Sequence, residues 1–374
     1  MKVLHICSAF SPLSETFIYD YITELERQGI ENHVLTFHRL NEQDRPFDRV
    51  YVVQIKHDMI WLVQRLIAQL SKGPGRYFSI QRRAMRKIIE QVNPDVIHAH
   101  FGPMGVLVAP IAKQLKIPLI VSFHGYDASS LIKEKFWVKE YQRLNSIVKF
   151  VTVVSNDMKL RLERFYPNKI KVVHVGKRLA DYSFIFDINT IKNFLSVGRL
   201  TEKKGYFDLI KAFSSVLQEY PYLSLDIIGD GHLKNELQKF IITSNTNNRI
   251  NLLGPVQHER LIEYYMNSDA FILTSKTAPN GDMEGIPTVL IEAQFLGLPV
   301  ISTKHSGIPE VIPDENHVFL AEEGNIEQIK QCIIRLINTE ETELKEIIKR
   351  GRLKVENEFN LHIEVKKLIN LYTN

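Results

Sequence analysis

The sequence predicts an α/β protein with two doubly wound, Rossmann-like domains, and three observations lead to this prediction. Short strand-like runs alternate with stretches of roughly 10–15 residues that repeat apolar residues at helical spacing. The strand-like runs are nearly continuous in Val, Ile and Leu, as expected of parallel strands covered by helices on both faces. The length of 374 residues corresponds to two domains or to one large one.

The predicted strands fall into two groups. Clean periodicity is lost between Val175 and Lys192, so we place an N-terminal domain at residues 1–177 and a C-terminal domain at residues 192–355. The strands are, in chain order, KVLHIC, HVLTFH, RVYVVQI, DVIHAH, PLIVSFH, FVTVVS and IKVVHV, and then NFLSVGR, LSLDIIG, RINLLG, AFILTS, PVIST and HVFLA.

Charge is distributed unevenly along the chain. The first 180 residues hold 27 Lys and Arg against 16 Asp and Glu, whereas the remainder holds 20 against 27. A basic half suggests an anionic partner, such as a lipid surface or a lipid-linked diphosphate. The alternative is that the two halves simply differ in their charge balance. We find no nucleic-acid recognition motif, so nucleic acid is not an expected partner.

Residues 57–92 combine an apolar, aromatic-bearing stretch with a basic one. Its cations are Arg82, Arg83, Arg86 and Lys87. A basic helix beside an apolar helix can lie at a membrane surface. Two packed helices with a solvated basic face explain the same pattern, and this is the more common arrangement.

Cysteine content and hydropathy indicate the cellular compartment. Cys7 and Cys332 offer neither a disulfide framework nor a zinc cluster, which fits a reducing cytosol. The N-terminal apolar run is too short for a signal peptide, and no apolar run reaches 18 residues. We therefore expect a cytoplasmic protein, with peripheral attachment to the inner face of the cell membrane as one option.

The stretch GDMEGIPTVLIEA, residues 281–293, combines two carboxylates with a helix start. Gly285 and Pro287 indicate that a helix begins there, because Pro is tolerated in a first helical turn. Glu284 would then lie on the preceding loop and Glu292 within the helix. The free N–H groups between them would form an anion site flanked by two acceptors of hydroxyl groups.

The stretch SVGRLTEKKG, residues 196–205, places two cations after a strand. Arg199 and Lys204 would reach the carboxyl edge of the sheet, where ligands bind in open α/β sheets, and Gly205 would begin a helix. Two cations and a helix N-terminus make a diphosphate clamp. The alternative is a pair of surface cations beside a turn, and the nearby carboxylates favour the clamp.

The sequence IIGDGHLKNEL, residues 227–237, gives a weaker signal. Gly229 and Gly231 permit a tight turn and close approach of a ligand, but such a pair also serves ordinary turns between a strand and a helix. No third Gly completes the dinucleotide pattern, which argues against a nicotinamide or flavin dehydrogenase.

Three features of the first half lie on a predicted strand or just after one. His124 and Asp127 lie in VSFHGYD just past a strand end, where a His can face a cleft or serve as a cap or core residue. His98 and His100 share one strand face, but two His without a carboxylate or Cys are thin evidence for a metal. The helix start at Ser14, Glu15 and Thr16 points N–H groups toward the same edge.

These motifs, in this order, resemble those of retaining glycosyltransferases of family 4, which have the GT-B fold. The resemblance rests on SETF, HGYD, GRLTEKKG, GDG and GDMEGIPTVLIEAQFLGLPVIST, with the spacing of Glu284 and Glu292 as the family's mark. It spans essentially the whole chain and is most specific in residues 196–310. Within the family, SETFI and TAPNGDMEG resemble bacterial exopolysaccharide glycosyltransferases of the colanic-acid and amylovoran type.

The resemblance implies an N-terminal acceptor-binding domain and a C-terminal donor-binding domain facing each other across a cleft. The last helix, residues 356–374, would pack back toward the N-terminal domain. Glu292 would accept from the ribose hydroxyls and Glu284 from the donor sugar. The implied catalytic residues are His124 near the reacting carbon, Glu284, and Arg199 and Lys204 on the diphosphate.

Further residues are implied by the same resemblance. The other donor-binding residues are Gly229, Gly231, Val256, Gly281, Asp282, Met283, Gly285, Ile286, Pro287, Thr288 and Val289. The acceptor or phosphate loop contains Ser14, Glu15, Thr16 and Asp127. Many relatives carry a Gly-Gly pair where this chain has Pro12-Leu13-Ser14-Glu15, so the resemblance does not imply which backbone groups of that loop contact the diphosphate and the acceptor.

The expected activity is the retaining transfer of a hexose from a nucleoside diphosphate-sugar, with UDP as carrier on family grounds. The acceptor would be lipid-linked or an oligosaccharide, in bacterial exopolysaccharide, capsule or O-antigen synthesis. No Asp-x-Asp pair is present, so we expect no metal and no cofactor besides the co-substrate. The alternatives are a sugar-nucleotide epimerase of the same fold and a non-catalytic sugar-nucleotide-binding subunit.

Overall fold

The chain folds into two compact units, each with one parallel sheet and helices packed against it. The computed structural model describes residues 1–12, 15–53, 77–178, 190–246 and 248–374. One unit comprises Met1–Gly176 together with Leu361–Asn374, and the other comprises Lys177–Asn360. The predicted fold class of two doubly wound parallel sheets is confirmed.

Within the described residues, the sheet of the first unit has seven strands in the order β3-β2-β1-β4-β5-β6-β7. The strands are β1 Lys2–Phe10, β2 Glu31–Arg39, β3 Val50–Val52, β4 Val96–His100, β5 Leu119–Phe123, β6 Phe150–Val153 and β7 Ile170–Val172. The helices before the second unit are α1 Thr16–Arg27, α2 Tyr77–Val92, α3 Gly102–Leu115, α4 Lys135–Asn145 and α5 Asn156–Leu162. The strand order reverses between β1 and β4, and ligands bind at such a switch point.

The sheet of the second unit has six strands in its described part, in the order β10-β9-β8-β11-β12-β13. They are β8 Asn193–Val197, β9 Ser224–Ile228, β10 Ile250–Gly254, β11 Ala270–Ile272, β12 Val300–Thr303 and β13 Leu320–Ala321. The helices are α6 Tyr206–Leu217, α7 Lys234–Thr243, α8 His258–Met266, α9 Thr288–Phe295, α10 Ile308–Val311, α11 Ile326–Ile337 and α12 Glu341–Glu358. Here the switch point lies between β8 and β11, so the loops after these two strands occupy the ligand-binding edge.

The residues of the central strands are buried on both faces of the sheets, as the sequence predicted. All five residues of β5 are buried, and so are those of β4. Separate apolar clusters lie on the two faces of each sheet, between strands and covering helices. Burial of this apolar surface is the main stabilising term of both units.

The last helix, α13 Leu361–Thr373, belongs to the first unit. Its residues Leu361, Val365 and Leu368 share an apolar cluster with Tyr21 and Leu25 of α1. The boundary that we placed at residue 356 falls inside the last turn of α12, and the chain passes to the first unit after Asn360.

Several sequence-based expectations fall on residues outside the described part of the chain. These are Ser14 of the predicted phosphate loop, residues 57–76 of the predicted apolar and basic segment, and most of the break between the domains. Among the helices that are described, none is both long and apolar enough to span a bilayer.

Candidate active site

Loops after neighbouring strands of the second unit are joined by backbone hydrogen bonds. The N–H of Gly198, after β8, donates to the carbonyl of Ile228 at 3.0 Å, and the N–H of Gly229 donates to Gly254 at 2.9 Å. Leu200 donates to Asp230 at 2.9 Å. The carboxyl ends of β8, β9 and β10 therefore form one continuous edge.

Gly229 and Gly231 lie so close to the loop after β8 that neither position has room for a Cβ. A Cβ on Gly229, whose φ is +153°, would lie 1.9 Å from the carbonyl oxygen of Gly198. A Cβ on Gly231 would lie 2.4 Å from the carbonyl oxygen of Leu200. The neighbouring loop thus explains both glycines, and their contact with a donor stays a prediction.

Lys204 and Glu284 form a buried ion pair at the switch point. Lys204 ends a short 3₁₀ turn after β8, and Glu284 lies on the loop between β11 and α9. The Nζ of Lys204 is 3.0 Å from Oε1 of Glu284, and both residues are 8% exposed. The two residues singled out from distant motifs therefore meet in the folded chain.

The ionisation of this pair follows from its surroundings. Burial alone would raise the pKa of Glu284, but the charges of Lys204 and Lys203 outweigh burial and hold that pKa at about 2. Burial lowers the pKa of Lys204, against the opposing charge of Glu284. Glu284 is therefore a carboxylate at neutral pH, able to accept hydrogen bonds but not to donate one.

A second pair, missed in the sequence, lies beside the first. The Nζ of Lys203 is 3.1 Å from Oδ2 of Asp282, and Lys203 is 8% exposed. The signal for Lys203 was present, since it stands next to Lys204 in the same strand-end loop. Arg199 is exposed, and the described part of the chain contains no ion-pair partner for it. Lys203 and Lys204, by contrast, each pair with a carboxylate of the loop after β11.

The sequence placed Pro287 in the first turn of the helix that follows Glu284, but that helix begins one residue later. α9 begins at Thr288, and Pro287 is its N-cap with extended backbone. Pro287 therefore lies just before the first turn instead of within it. The carbonyl of Pro287 accepts from Leu290, so the helix itself leaves the N–H groups of Thr288 and Val289 unsatisfied. These groups have the polarity that an anion requires.

Glu292 lies on α9 in a pair that the sequence did not suggest. Its Oε1 is 2.8 Å from Nζ of Lys177, and its Oε2 accepts from the hydroxyl of Tyr265 at 3.3 Å. Lys177 is 9% exposed. No local pattern could have identified Lys177, because more than a hundred residues separate it from Glu292.

The remaining predicted donor residues lie on the same edge. Asp282 and Met283 are half-buried, and Gly281, Gly285 and Ile286 are buried in the loop that carries Glu284. Val256 follows β10 and packs at the border of the apolar cluster that contains Ile228 and Tyr265. Their contacts with a donor stay predictions.

In the first unit, His124 follows β5 with its ring between two aromatic rings. The ring centroids of Phe17 and Phe101 are each 4.7 Å from that of His124. Both ring nitrogens are buried and have no hydrogen-bond partner among the described residues. Burial lowers the pKa of His124 to about 3, so the ring is neutral at neutral pH.

Asp127 lies in the loop after β5, and its carboxylate is buried. It is 0% exposed, and its carboxylate accepts from the N–H groups of Gly102, His124 and Gly125 at 2.9, 3.0 and 2.9 Å. We placed Asp127 in the acceptor or phosphate loop; its carboxylate is bonded to backbone groups, and a contact of that loop with an acceptor or a phosphate stays a prediction. Buried N–H groups without partners are unfavourable, and Asp127 satisfies three of them, so it orients the loop that carries His124.

The predicted loop before α1 is described only in part. α1 begins at Thr16, and Glu15 is its N-cap residue, whose side chain does not bond to the helix N–H groups. The N–H of Glu15 donates to the carbonyl of Pro12 at 3.1 Å.

His98 and His100 belong to a buried polar layer that also contains His5. One nitrogen from each of these three side chains lies within 4.8 Å of the others. His5 bonds to His100 at 3.1 Å and to Asn32 at 3.0 Å. His98 bonds to Tyr372 and to Ser122, both at 2.6 Å. His5 and His98 thus use both ring nitrogens within the protein, which suits a hydrogen-bonded network better than a metal centre.

Comparison with known proteins supplies the family context. The model of Glycosyltransferase Family 4 matches residues 14–178, and that of Glycosyl transferases group 1 matches residues 182–354. The amylovoran biosynthesis glycosyltransferase AmsK of Erwinia amylovora is 29% identical, over 98% of each chain. The putative colanic acid biosynthesis glycosyltransferase WcaL of Salmonella typhimurium is 30% identical, over 74% of this chain and 70% of its own.

A solved structure shows the same fold. The crystal structure of Anabaena HepE in complex with UDP and glucose matches 100% of this chain and 99% of HepE, with a TM-score of 0.75 and 18% sequence identity. At this identity the likeness concerns the fold.

Proposed function

This chain is a glycosyltransferase that belongs to family 4 and has the GT-B fold, and from this premise we propose that it transfers a hexose, with retention of configuration, from a UDP-sugar. The proposed acceptor is a lipid-linked saccharide or an oligosaccharide of bacterial exopolysaccharide, capsule or O-antigen synthesis. The names of the relatives from amylovoran and colanic acid synthesis support the pathway, and the UDP bound to HepE supports the donor.

The observation that carries this proposal is the buried Lys204–Glu284 pair at the switch point of the second unit. A nucleoside diphosphate-sugar is negative in its middle and carries hydroxyls at both ends. Arg199, Lys204 and the N–H groups at the start of α9 suit the diphosphate. The carboxylates of Glu284 and Glu292 suit the hydroxyls of the sugar and of the ribose, respectively.

The proposed reaction needs no protein nucleophile. The bond between the sugar carbon and the diphosphate oxygen breaks while the acceptor oxygen attacks from the same face. The acceptor proton passes to the leaving diphosphate. Lys204 and Arg199 would stabilise the charge that develops on that diphosphate, which is the electrostatic contribution expected of fixed cations.

The proposal is tested by calorimetric binding of a panel of nucleoside diphosphate-sugars, followed by assay of nucleotide release with each ligand. One tight donor whose nucleotide is slowly released supports a transferase and identifies the sugar. Conversion of the donor to its epimer without release would identify an epimerase of the same fold. Binding without turnover would identify a non-catalytic subunit, and no binding would refute the diphosphate site.

Glu292→Gln should weaken donor binding by about 10- to 100-fold, because the amide NH₂ that replaces one carboxylate oxygen cannot accept and leaves a ribose hydroxyl unpaired, at a cost of about 1–3 kcal/mol. Gln is preferable to Ala because it keeps the volume beside buried Lys177. Donor affinity is measured by calorimetry. Lys177→Met is the matched control, because it removes the ion pair but keeps the carboxylate. If Lys177→Met weakens donor binding as much as Glu292→Gln, then donor binding depends on the Lys177–Glu292 ion pair. Hydrogen bonds from the ribose hydroxyls to Glu292 would then not be its cause.

Transfer activity should be unchanged by EDTA, because the cations proposed for the diphosphate are side chains. Initial rates are compared before and after dialysis against the chelator, with and without added Mg²⁺. Loss of activity that Mg²⁺ restores would mean that a metal ion holds the diphosphate.

We further propose that the basic face of α2 contacts anionic lipid. Two of its four cations have other partners: Arg82 donates to the carbonyls of Leu107 and Val106 at 2.9 and 3.2 Å, and Arg86 bonds to Glu90 at 2.8 Å. The other two, Arg83 and Lys87, are exposed.

Replacing Arg83 and Lys87 by Gln should therefore reduce sedimentation with vesicles rich in phosphatidylserine, with each cation contributing about 1 kcal/mol. The control variant replaces Lys135 and Lys139, two exposed lysines of the same unit, by Gln. Equal sedimentation of both variants and the wild-type protein would identify the face as merely solvated.

A further inference from the structure

A series of hydrogen bonds connects Thr277, Glu323 and His305 to the backbone of Glu284. His305 follows β12 and is 0% exposed. Its Nδ1 is 2.6 Å from Oε1 of Glu323, and its Nε2 is 3.1 Å from the backbone nitrogen of Glu284. The second oxygen of Glu323 accepts from the N–H of Thr277 at 2.8 Å.

This geometry determines the tautomer of His305. A backbone N–H can only donate, so Nε2 of His305 must carry a lone pair and accept from Glu284. The ring proton is therefore on Nδ1, where it points at the carboxylate of Glu323. The order of donors and acceptors is thus defined from Thr277 to Glu284.

The other backbone group of Glu284 is held by the next residue along the chain. The hydroxyl of Ser306 donates to the carbonyl of Glu284 at 2.8 Å. Both polar backbone groups of Glu284 are therefore bonded to the His305–Ser306 pair. The loop that carries the carboxylate is thus bonded to two residues that follow β12, and its side chain to Lys204.

We infer that His305, oriented by Glu323, is a positioning residue that holds the carboxylate of Glu284 in place for the donor sugar; this inference rests on the proposed function of Glu284. His305 touches no substrate and acts only through the backbone of Glu284. A displacement of about 1 Å at a reacting group can lower a rate about 100-fold, so hydrogen bonds that fix both polar backbone groups of Glu284 matter for catalysis.

Two substitutions separate the roles of the two ring nitrogens. His305→Gln places an amide oxygen close to the position of Nε2 and can still accept from Glu284. His305→Asn places an amide NH₂ close to the position of Nδ1 and can still donate to Glu323. It has no acceptor at the position of Nε2, so the N–H of Glu284 loses its partner. His305→Ala removes both interactions.

We expect kcat to fall about 10- to 100-fold in His305→Ala and His305→Asn, and to recover to within about threefold of wild type in His305→Gln. The KM for the donor should change less than kcat. His317→Gln, a half-buried His of the same unit that bonds to the carbonyls of Pro309 and Ile312, is the matched control and should keep wild-type kcat. A structural role in folding alone would not distinguish Gln from Asn in this way.

Hydrogen exchange provides a readout that does not depend on activity. The peptide containing the Glu284 amide should lose protection in His305→Ala and His305→Asn and keep it in His305→Gln. Equal protection in all three variants, or equal kcat in Gln and Asn, would overturn the inference. If the wild-type protein turns over no donor, the proposed function fails instead, and hydrogen exchange alone then decides whether His305 holds the loop.

Discussion

Glu284→Gln should lower kcat by about 100-fold or more, because the carboxylate is expected to accept from the donor sugar more strongly in the transition state than in the ground state. Gln is the informative substitution. Ala would leave Lys204 buried without its partner, and breaking a buried ion pair in this way costs about 3–5 kcal/mol of folding free energy. Gln keeps the volume and one acceptor oxygen while removing the charge.

The measurement is kcat and KM with the donor identified by the binding panel, together with thermal unfolding. Glu322→Gln is the matched control, because Glu322 is an exposed partner of Lys304 in the same unit. A Glu284→Gln enzyme that keeps more than half of the wild-type kcat would remove Glu284 from the catalytic machinery. Folded but inactive protein is the expected outcome.

The same variant should change the dependence of stability on pH. The pKa of Glu284 is about 2 in the folded chain against an ordinary value of 4.5, so the carboxylate stabilises the fold above pH 4.5, and that stabilisation is lost as the pH falls toward 2. Denaturant unfolding between these pH values should show a smaller decline in Glu284→Gln than in the wild-type protein. An unchanged slope would mean that Lys203 and Lys204 do not depress this pKa.

Gly205→Ala should destabilise the second unit by about 3 kcal/mol or more, through backbone strain and a steric clash together. Gly205 has φ +69°, and a Cβ there would lie 1.9 Å from the carbonyl oxygen of Thr274. That oxygen belongs to the backbone and cannot rotate away. The loop with Lys203 and Lys204 would have to move, so donor binding should weaken together with stability.

Gly254→Ala is the control that separates strain from clash. Gly254 lies in the same unit with φ +80°, but the nearest atom to its added Cβ is Nζ of Lys234 at 3.9 Å. Its substitution should cost only about 1 kcal/mol, the typical penalty of a left-handed residue with a side chain. Unfolding free energies of both variants are measured with denaturant. Equal losses would show that the approach of Thr274 has no energetic consequence.

Much of the fold could be predicted because its signals are local. Buried strands such as β5 and β11 appear as nearly continuous apolar runs, and the helix starts at Gly205 and Pro287 are marked by residues with restricted or unusual backbone conformations. The rule that ligands bind at the carboxyl ends of parallel strands selected Arg199 and Lys204, and the predicted helix start at Gly285 and Pro287 selected Glu284. Asp127 shows the limit of that rule, because position after a strand does not reveal whether a side chain points out of the loop or beneath it.

The partners of the candidate site could not be predicted in the same way. Lys177 meets Glu292 and His305 meets Glu284 only after separate β-strands are brought side by side, and nothing local marks either residue. The low pKa of Glu284 could not be predicted either. Burial raises this pKa and the charges of Lys203 and Lys204 lower it, so its value depends on contacts that only the folded chain makes.

Local sequence signals are enough to predict the two parallel sheets, the loops that carry the candidate site and the charge and hydrogen-bonding groups on which the proposed ligand rests. The signals for these properties are hydrophobic periodicity, turn residues and charge, and each of them lies within a short stretch of the sequence. The tertiary structure decided which charges are paired, which carboxylate orients a loop and which histidine holds Glu284. Those properties depend on distances between residues far apart in the chain, which only the packing of strands and helices establishes.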